Sequence, residues 1–414
     1  MEPSDKTSRN ILLAGALIVA AGVLAWHNSF TGPFVFDDGD AIRENPTLRH
    51  LWPIWKPFAP PTGGLTVSGR PLLNFTLAIN YAHGGLKVWG YHAVDLLIHL
   101  LAGLTLFGIA RRTLKRLWLA FAIALIWTVH PLQTESVTYI VQRAESQMGL
   151  FYLLTLYFFI RSVESEGSTQ VSGLRSQVSA RSGLRSQVSV PALRFQILSV
   201  AACICGMATK EVMVSAPIIV LLYDRTFVAG SFRDALRRRS MFYAALACTW
   251  IPLALLVGST NGRGGTSGFA LGVGFAKYAP TQFPAIVGYL RLAFYPIHQV
   301  FDYATEWVDS CTAILPDILI VCVLVAATIV ALFKKDPKWR AAGFAGFWFF
   351  AILAPTSLIP GGRQTMAKNR PRNGSDRDRT LFREGSPGRQ RSCCCFRKDQ
   401  NEFRGQRHMF SDIR

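Results

Sequence analysis

Three carboxylates stand within four residues near the N-terminus, in the segment Phe-Asp37-Asp38-Gly-Asp40. Adjacent carboxylates raise one another's pKa, and such a group suits either a general base or a metal ion. The alternative is that these carboxylates simply form an acidic turn in a solvated loop. The segment makes Asp37 and Asp38 candidates for chemistry without choosing between these interpretations.

A second polar segment begins at His130 and contains Glu135, Gln142 and Arg143. A helix that starts with Thr134 as its cap would place Glu135 and Gln142, seven residues apart, on one face. At the mouth of a membrane cavity, a Glu can bind a sugar hydroxyl and an Arg can bind phosphate oxygens bidentately. The alternative is an interfacial helix with paired charges.

Arg70 precedes an apolar stretch, and Lys210 and Glu211 stand between two apolar stretches. Ionisable residues at membrane depth cost free energy and are therefore functional candidates. Their side chains can also reach the membrane surface and simply mark the interface. Both interpretations remain open for these residues.

His92, Asp95 and His99 follow an i, i+3, i+7 pattern and share one helical face. The pattern is compatible with a metal site. Hydrogen bonding between helices explains it equally well and is the more common use of such residues in a membrane. We expect interhelical hydrogen bonds.

The elements that must position these residues are membrane helices. The chain of 414 residues is 50% hydrophobic and 17% charged, with a mean hydropathy of +0.26. Its apolar residues come in blocks of roughly 15 to 20, close to the ~20 that cross a bilayer as a helix. The sequence predicts an all-α polytopic membrane protein. Spans are expected at 11–26, 92–110, 118–129, 148–160, 195–208, 212–223, 241–258, 315–333 and 341–359, with a short re-entrant helix at 285–297.

The net charge of +19 lies mainly in short loops between these blocks and in the C-terminal segment. With the N-terminus in the cytoplasm, the inner segments hold 20 Lys and Arg in about 74 residues, against nine in about 111 on the other side. This bias predicts a multi-pass protein of the cytoplasmic (inner) membrane, with residues 27–91 and 130–147 as outer loops. Lys and Arg residues spread over short loops between membrane spans are typical of topology signals and do not form a nucleic-acid-binding face. We therefore expect no nucleic-acid partner.

The predicted organisation has three parts: a cytoplasmic N-terminus at 1–10, a transmembrane domain at 11–360 and a basic, disordered tail at 361–414. Within the domain, residues 165–193 contain Ser-Gly-Leu-Arg-Ser-Gln-Val-Ser twice. This Gly/Ser/Arg-rich insert predicts a disordered cytoplasmic loop.

An ordered set of motifs between about Phe34 and Met366 resembles the transmembrane and tetratricopeptide-repeat (TMTC-like) proteins, glycosyltransferases of the GT-C fold that are similar to the protein O-mannosyltransferases. The motifs are Phe-Val-Phe-Asp37-Asp38, Gly69-Arg70-Pro71-Leu72, Tyr91-His92-xx-Asp95-xxx-His99, His130-Pro131-xx-Thr134-Glu135, Arg143-Ala-Glu145, Thr209-Lys210-Glu211, and Tyr289-Leu-Arg291-xxx-Tyr-Pro296 with Asp302-Tyr303.

The resemblance implies a GT-C-like helical bundle with about 9–11 membrane segments and an active site in the outer loops. It implies transfer of a mannose-like sugar from a polyprenyl-phosphate donor to a hydroxyl of a protein, lipid or glycan acceptor outside the membrane. Asp37 or Asp38 would be the base that takes the acceptor's proton. No cofactor or metal is assigned. Donor-binding residues would be Arg70, His130, Glu135, Arg143, Lys210, Glu211 and Arg291.

The chain departs from the family pattern at two places. Asp95 stands where the family usually has Asn. After Met366 the expected Glu-His-Arg continuation and tetratricopeptide repeats are replaced by an Arg/Ser/Cys-rich sequence. We hypothesise that residues from about 368 onward arise from a shifted reading frame, which would leave the chain truncated, without the repeats that would recruit an acceptor protein, and its activity in question.

A non-enzymatic membrane protein, such as a permease or an assembly scaffold, is the alternative. A permease would place ionisable residues along a path through the bilayer. This sequence concentrates them in outer loops, with Asp95 and His99 as the main exceptions, which favours the enzyme.

Overall fold

A computed structural model describes residues 5–63, 65–176, 190–260, 275–297, 299–300, 308 and 310–359. In these residues every regular element is a helix, which confirms the all-α prediction. The α-helices are α1 (Asp5–Trp26), α2 (Trp55–Phe58), α3 (Pro71–Gly84), α4 (Val88–Leu114), α5 (Leu117–Val129), α6 (Thr134–Thr138), α7 (Arg143–Ser176), α8 (Val190–Met207), α9 (Ala216–Tyr223), α10 (Phe232–Arg238), α11 (Ser240–Cys248), α12 (Trp250–Ser259), α13 (Phe275–Phe294), α14 (Leu315–Phe333) and α15 (Pro337–Leu358).

Six helical segments in the described ranges are long and apolar enough to cross a membrane. Two further spans are possible if bent helix pairs count as one each, with bends of 49° after α5 and 107° before α10. The prediction of a polytopic membrane protein is confirmed. The six segments are Lys6–Thr31, Val88–Leu114, Val190–Met207, Ser240–Ser259, Thr312–Phe333 and Pro337–Leu358.

Each of the nine predicted spans lies on a helix or on two abutting helices, but two neighbouring predictions need correction. α13 begins ten residues before the re-entrant helix that was expected at 285–297. α7 continues to Ser176 and α8 begins at Val190, so both ends of the insert predicted as a loop are helical. A helix whose nucleus is already formed extends at little cost through residues that do not block it. Residues 177–189, like the tail at 361–414, lie outside the described ranges.

α7 forms the centre of the largest apolar core. It packs along α4 on one side and α8 on the other, and Phe159 and Leu156 are fully buried between them. The hairpin of α14 and α15 joins this core through Phe344. The arrangement leaves the first turn of α7, which begins at Arg143, at the end of the bundle where the polar loops meet.

The first long loop is a folded layer between α1 and α4. Its core includes Leu48, Leu73 and Tyr91, all fully buried, together with residues of the 130–147 loop such as Ile140. The turn before α3 contains Gly69 at φ +71°, where a Cβ atom would stand 2.9 Å from Thr260. Only glycine fits such a turn without strain. Because residues of both predicted outer loops contribute to this one core, the two loops pack against one another.

α5 ends because Pro131 has no N–H to continue the helix. The carbonyl of Thr128 is left to accept two side-chain donors, Trp26 Nε1 at 2.9 Å and His99 Nε2 at 2.8 Å. His92 Nε2 lies 3.0 Å from the carbonyl of Gly32. The expected interhelical hydrogen bond is confirmed for His99, whereas His92 bonds to the turn that follows the first span.

Candidate active site

The carboxylate of Asp38 is fully buried and joins the two predicted outer loops, residues 27–91 and 130–147. Its Oδ2 accepts the backbone N–H of Val35 at 3.0 Å, and its Oδ1 accepts the backbone N–H of Val141 at 2.9 Å. Burial raises the pKa of Asp38 to about 7, against the two backbone donors, which lower it. Both oxygens are thus occupied by the protein's own backbone.

The neighbouring carboxylate of Asp37 is exposed to solvent. Its Oδ2 accepts the hydroxyl of Thr66 at 2.8 Å, and its backbone N–H donates to the hydroxyl oxygen of Tyr139 at 3.0 Å. The preceding Phe36 has φ +43°, an uncommon conformation for a bulky residue. This turn directs consecutive carboxylates to opposite environments, one to solvent and one to the interior.

The single helix expected between Thr134 and Glu145 is broken. α6 stops at Thr138 because Tyr139 is extended, with φ −96° and ψ 110°, and the backbone N–H of Val141 binds Asp38. Thr134 is not the side-chain cap, since its hydroxyl donates to the carbonyl of Pro131.

Glu135 and Gln142 nevertheless meet across this break. The amide nitrogen of Gln142 donates to Glu135 Oε1 at 3.1 Å, and Glu135 is exposed. The predicted proximity of these two side chains is confirmed. Glu135 is thus presented to solvent at the end of the bundle that carries the outer loops.

Arg70 and Glu211 form an ion pair at 3.2 Å, although 141 residues separate them. Arg70 is 3% exposed, and its NH1 also donates to the carbonyl of Thr66 at 3.0 Å. Thr66 therefore links the Arg70–Glu211 pair to Asp37. The backbone hydrogen bond from Leu72 to the carbonyl of Ala208, at 3.1 Å, aligns the two segments that carry the pair.

Lys210 forms an ion pair with Glu145 beside the Arg70–Glu211 pair. Burial lowers the pKa of Lys210, and the nearby carboxylate of Glu145 opposes this shift. The side chain of Glu145 is 40% exposed, so the pair lies at the edge of the bundle. Two cations and two carboxylates therefore neutralise one another, and Thr66 connects Arg70 of this group to Asp37.

Arg143 lies in the core, away from solvent. Its guanidinium pairs with the buried carboxylate of Asp95 and donates to Asn80 Oδ1 at 2.6 Å and to the carbonyl of Tyr91 at 3.1 Å. These contacts hold α3, α4 and α7 together. The expected contact of Arg143 with a donor phosphate does not fit this position, because its nitrogen atoms face protein acceptors.

His130 and Arg291 meet the end of α13. His130 Nδ1 accepts the backbone N–H of Leu132 at 3.2 Å, and its Nε2 lies 3.1 Å from the carbonyl of Ala293. Arg291 is exposed in the last turn of the same helix. His130 therefore anchors the end of α13 to the second predicted outer loop. This contact places Arg291, two residues before Ala293, near that loop. The motif residues Asp302 and Tyr303 lie outside the described residues.

Two residues that the sequence did not single out, Thr66 and Tyr139, contact Asp37 directly. Thr66 follows Asp37 by 29 positions and Tyr139 by 102. Neither stands in a pattern that marks it, so only the fold reveals their proximity. Among the described residues, no group of three His, Cys, Asp or Glu side chains is close enough to hold a metal ion.

Comparisons with known proteins agree with the resemblance seen in the motifs. The chain is 30% identical over 233 residues to the mouse protein O-mannosyl-transferase TMTC1, 32% identical over 220 residues to its human counterpart, and 34% identical over 167 residues to mouse TMTC2. These alignments cover 54%, 51% and 38% of this chain, but only 23%, 23% and 20% of the relatives. No family model and no solved structure matches the chain. The chain is thus similar to the TMTC-type protein O-mannosyl-transferases, and it matches less than a quarter of their length.

Proposed function

We propose that this chain is a glycosyltransferase of the GT-C type in the cytoplasmic membrane, with its N-terminus inside and its active site on the outer face. It transfers a mannose-like sugar from a polyprenyl-phosphate donor to an acceptor hydroxyl of a protein, lipid or glycan. The observation that carries the proposal is the solvent-exposed carboxylate of Asp37, held by Thr66 beside two ion pairs. The similarity to proteins named O-mannosyl-transferases supports it.

Asp37 is the general base in this proposal, and Asp38 is a positioning residue. The Asp37 carboxylate accepts the proton of the acceptor hydroxyl while the hydroxyl oxygen bonds to the anomeric carbon of the sugar. The bond between that carbon and the phosphate oxygen breaks, and its electron pair leaves with the polyprenyl phosphate. Asp38 cannot take this role while both its oxygens accept backbone N–H groups.

Positive side chains near the leaving phosphate stabilise the negative charge that develops on its oxygen atoms. Arg291 is exposed at the end of α13, and Arg70 lies next to Thr66. We assign the phosphate to the exposed Arg291. Arg70, buried and bound to Glu211, and Lys210, bound to Glu145, add positive charge from within the protein. His130 and Glu211 position Arg291 and Arg70, and Glu135 is an exposed hydroxyl-binding group.

The position of Asp95 argues against a permease. Asp95 and His99 are the main ionisable residues outside the predicted outer loops, and a permease would need such residues to face a path through the bilayer. Its carboxylate is fully buried against Arg143, so it belongs to the packing between α4 and α7. His99 likewise donates to the carbonyl of Thr128.

The test compares Asp37→Asn, Asp38→Asn and Asp40→Asn in membranes supplied with a polyprenyl-phosphate-linked mannose. Asp37→Asn is expected to reduce transfer by about 10² to 10⁴, the usual contribution of a general base, and to leave the amount of inserted protein unchanged. Asp38→Asn is expected to lower the melting temperature, because an amide N–H₂ would face a backbone N–H donor, at a cost of about 1–3 kcal/mol.

Asp40 is an exposed carboxylate of the same loop and serves as the matched control, so transfer by Asp40→Asn should equal that of the unmodified chain. Full transfer by Asp37→Asn would remove Asp37 from the reaction. If the unmodified chain transfers no sugar under these conditions, the proposed function is rejected for this chain.

A further inference from the structure

A cavity of about 210 Å³ lies between α4, α5, α6 and α7. α7 contributes Glu145 and Gly149 to its wall, α4 contributes His99, and α5 contributes Trp127. The cavity lies beside the second outer loop, because Ser136 of α6 also lines it. It is smaller than the roughly 300 Å³ at which sites for drug-sized ligands begin, so it fits a single ring and not a whole lipid-linked sugar.

Three polar groups at this wall have unused hydrogen-bonding capacity. His99 Nε2 must carry its proton, since it faces the carbonyl of Thr128, and Nδ1 is therefore an acceptor. Gln133 Oε1 accepts the hydroxyl of Ser136 at 3.1 Å, which leaves the Gln133 amide nitrogen as a donor. Within the described residues, neither His99 Nδ1 nor the Gln133 nitrogen has another partner.

Glu145 supplies the third group. Its Oε1 binds Lys210, so its second oxygen remains an acceptor at the cavity. The charge of Glu145 is neutralised by Lys210, and the other lining groups are uncharged or neutral. A phosphate would find no unpaired positive charge here, whereas hydroxyl groups would find both donors and acceptors.

The walls also have the shape for a ring. Trp127 stacks on His99 with centroids 4.9 Å apart and planes at 24°, which gives a rigid aromatic side. α7 supplies another part of the wall, where a Cβ atom built on Gly149 would meet no atom within 4 Å. Glycine in a helix interior costs about 0.5–1 kcal/mol relative to alanine, and here it leaves space open.

The cavity adjoins the proposed active site through two connections. Ser136 lies three residues before Tyr139, whose hydroxyl contacts the backbone of Asp37. Lys210, the partner of Glu145, precedes Glu211 of the pair with Arg70. We propose that this cavity receives the sugar ring of the lipid-linked donor, whose phosphate stays outside it. This proposal rests on the proposed function and adds the residues that recognise the sugar.

The experiment measures the melting temperature of the purified full chain in detergent with polyprenyl-phosphate mannose and with polyprenyl phosphate that has no sugar. The unmodified chain should be stabilised more by the sugar-bearing lipid. Gly149→Leu fills the open space and is expected to weaken this sugar-dependent binding at least tenfold, with binding of the sugar-free lipid unchanged. Gly258→Leu is the matched control, because Gly258 of α12 also has no atom within 4 Å of its Cβ position.

A second variant, Gln133→Leu, removes the amide donor without adding bulk and should also lose the sugar-dependent stabilisation. It tests the proposal even if Gly149→Leu does not fold. The proposal is overturned if the unmodified chain binds both lipids equally, or if Gly149→Leu or Gln133→Leu retains the difference. Sugar-dependent binding without transfer would reject the proposed function and leave the cavity assigned. Transfer at the normal rate by both variants would reject the cavity and leave the function in place.

Discussion

The carboxylates of Asp37 and Asp38 are one residue apart and bind different parts of the chain. Asp37 takes the hydroxyl of Thr66 and remains exposed, while Asp38 takes the backbone N–H groups of Val35 and Val141 and is buried. A free carboxylate can accept a substrate proton, whereas a carboxylate that closes two loops cannot do so without opening them. In the proposed mechanism, Asp37 is therefore the base and Asp38 the positioning residue.

The pKa of Asp38 makes stability depend on pH. Its folded pKa of about 7 lies above its ordinary value of 3.8, so between these values the folded chain holds a proton that the unfolded chain has released. The stability contributed by this proton is complete below pH 4 and is lost as pH rises to 7. We expect the melting-temperature advantage of the unmodified chain over Asp38→Asn to narrow between pH 4 and pH 8.

The corresponding control is Asp40→Asn, whose melting temperature should follow that of the unmodified chain at each pH. An advantage over Asp38→Asn that stays constant or widens with rising pH would contradict the assigned direction of the shift.

The choice between Asp37 and Asp38 could not be made from the sequence. Both have the same side chain and almost the same local sequence, and their difference comes from Thr66 and Val141, which lie 29 and 103 positions away. Likewise, the local sequence nominated Arg143 for phosphate binding, since nothing nearby indicates that Asp95 and Asn80 enclose it.

At the scale of elements, the buried pair of Asp95 and Arg143 joins α4 to α7. Both side chains are 0% exposed, and Arg143 also reaches Asn80 of α3. A buried pair contributes little net stability, but removal of one partner leaves an uncompensated charge. The pair thus fixes which faces of these helices meet.

We expect Arg143→Met to lower the free energy of unfolding by about 3–5 kcal/mol, because Asp95 would remain buried without a partner. The double variant Asp95→Leu with Arg143→Met should recover most of this loss. Arg112→Gln is the control, since it removes an outlying pair with Glu164 that is worth about 0–1 kcal/mol. Denaturation in detergent measures all three, and a double variant less stable than Arg143→Met would contradict the explanation.

Hydropathy predicted the positions of the helices well, because a span needs an apolar block and the blocks are visible in the sequence. The capping and spacing pattern of the second polar segment was a poorer guide, because there side chains compete for the backbone. The helix expected from Thr134 to Glu145 is interrupted because the Val141 N–H binds a carboxylate from the first loop. The length of α7 was underestimated for another reason, since its polar ends carry no apolar signal.

At the scale of the molecule, the distribution of Lys and Arg assigns α2 to the outer side of the membrane and α10 to the cytoplasm. Lys56 in α2 and Arg237 in α10 are both exposed. In a chain whose native cysteines are replaced by alanine, Lys56→Cys should react with a membrane-impermeant maleimide on intact cells. Arg237→Cys should react only after the membrane is permeabilised, and the opposite pattern would invert the topology.

The contacts around Asp37 join residues far apart in the chain: Asp38 with Val141, and Arg70 with Glu211. A membrane protein is synthesised and inserted from its N-terminus. While the ribosome is still translating α6, Asp38 lacks the backbone N–H of Val141, and Arg70 lacks its carboxylate partner until residue 211 has been made. The loop with Asp37 is therefore completed late in biogenesis, after both membrane segments that bind it have been made.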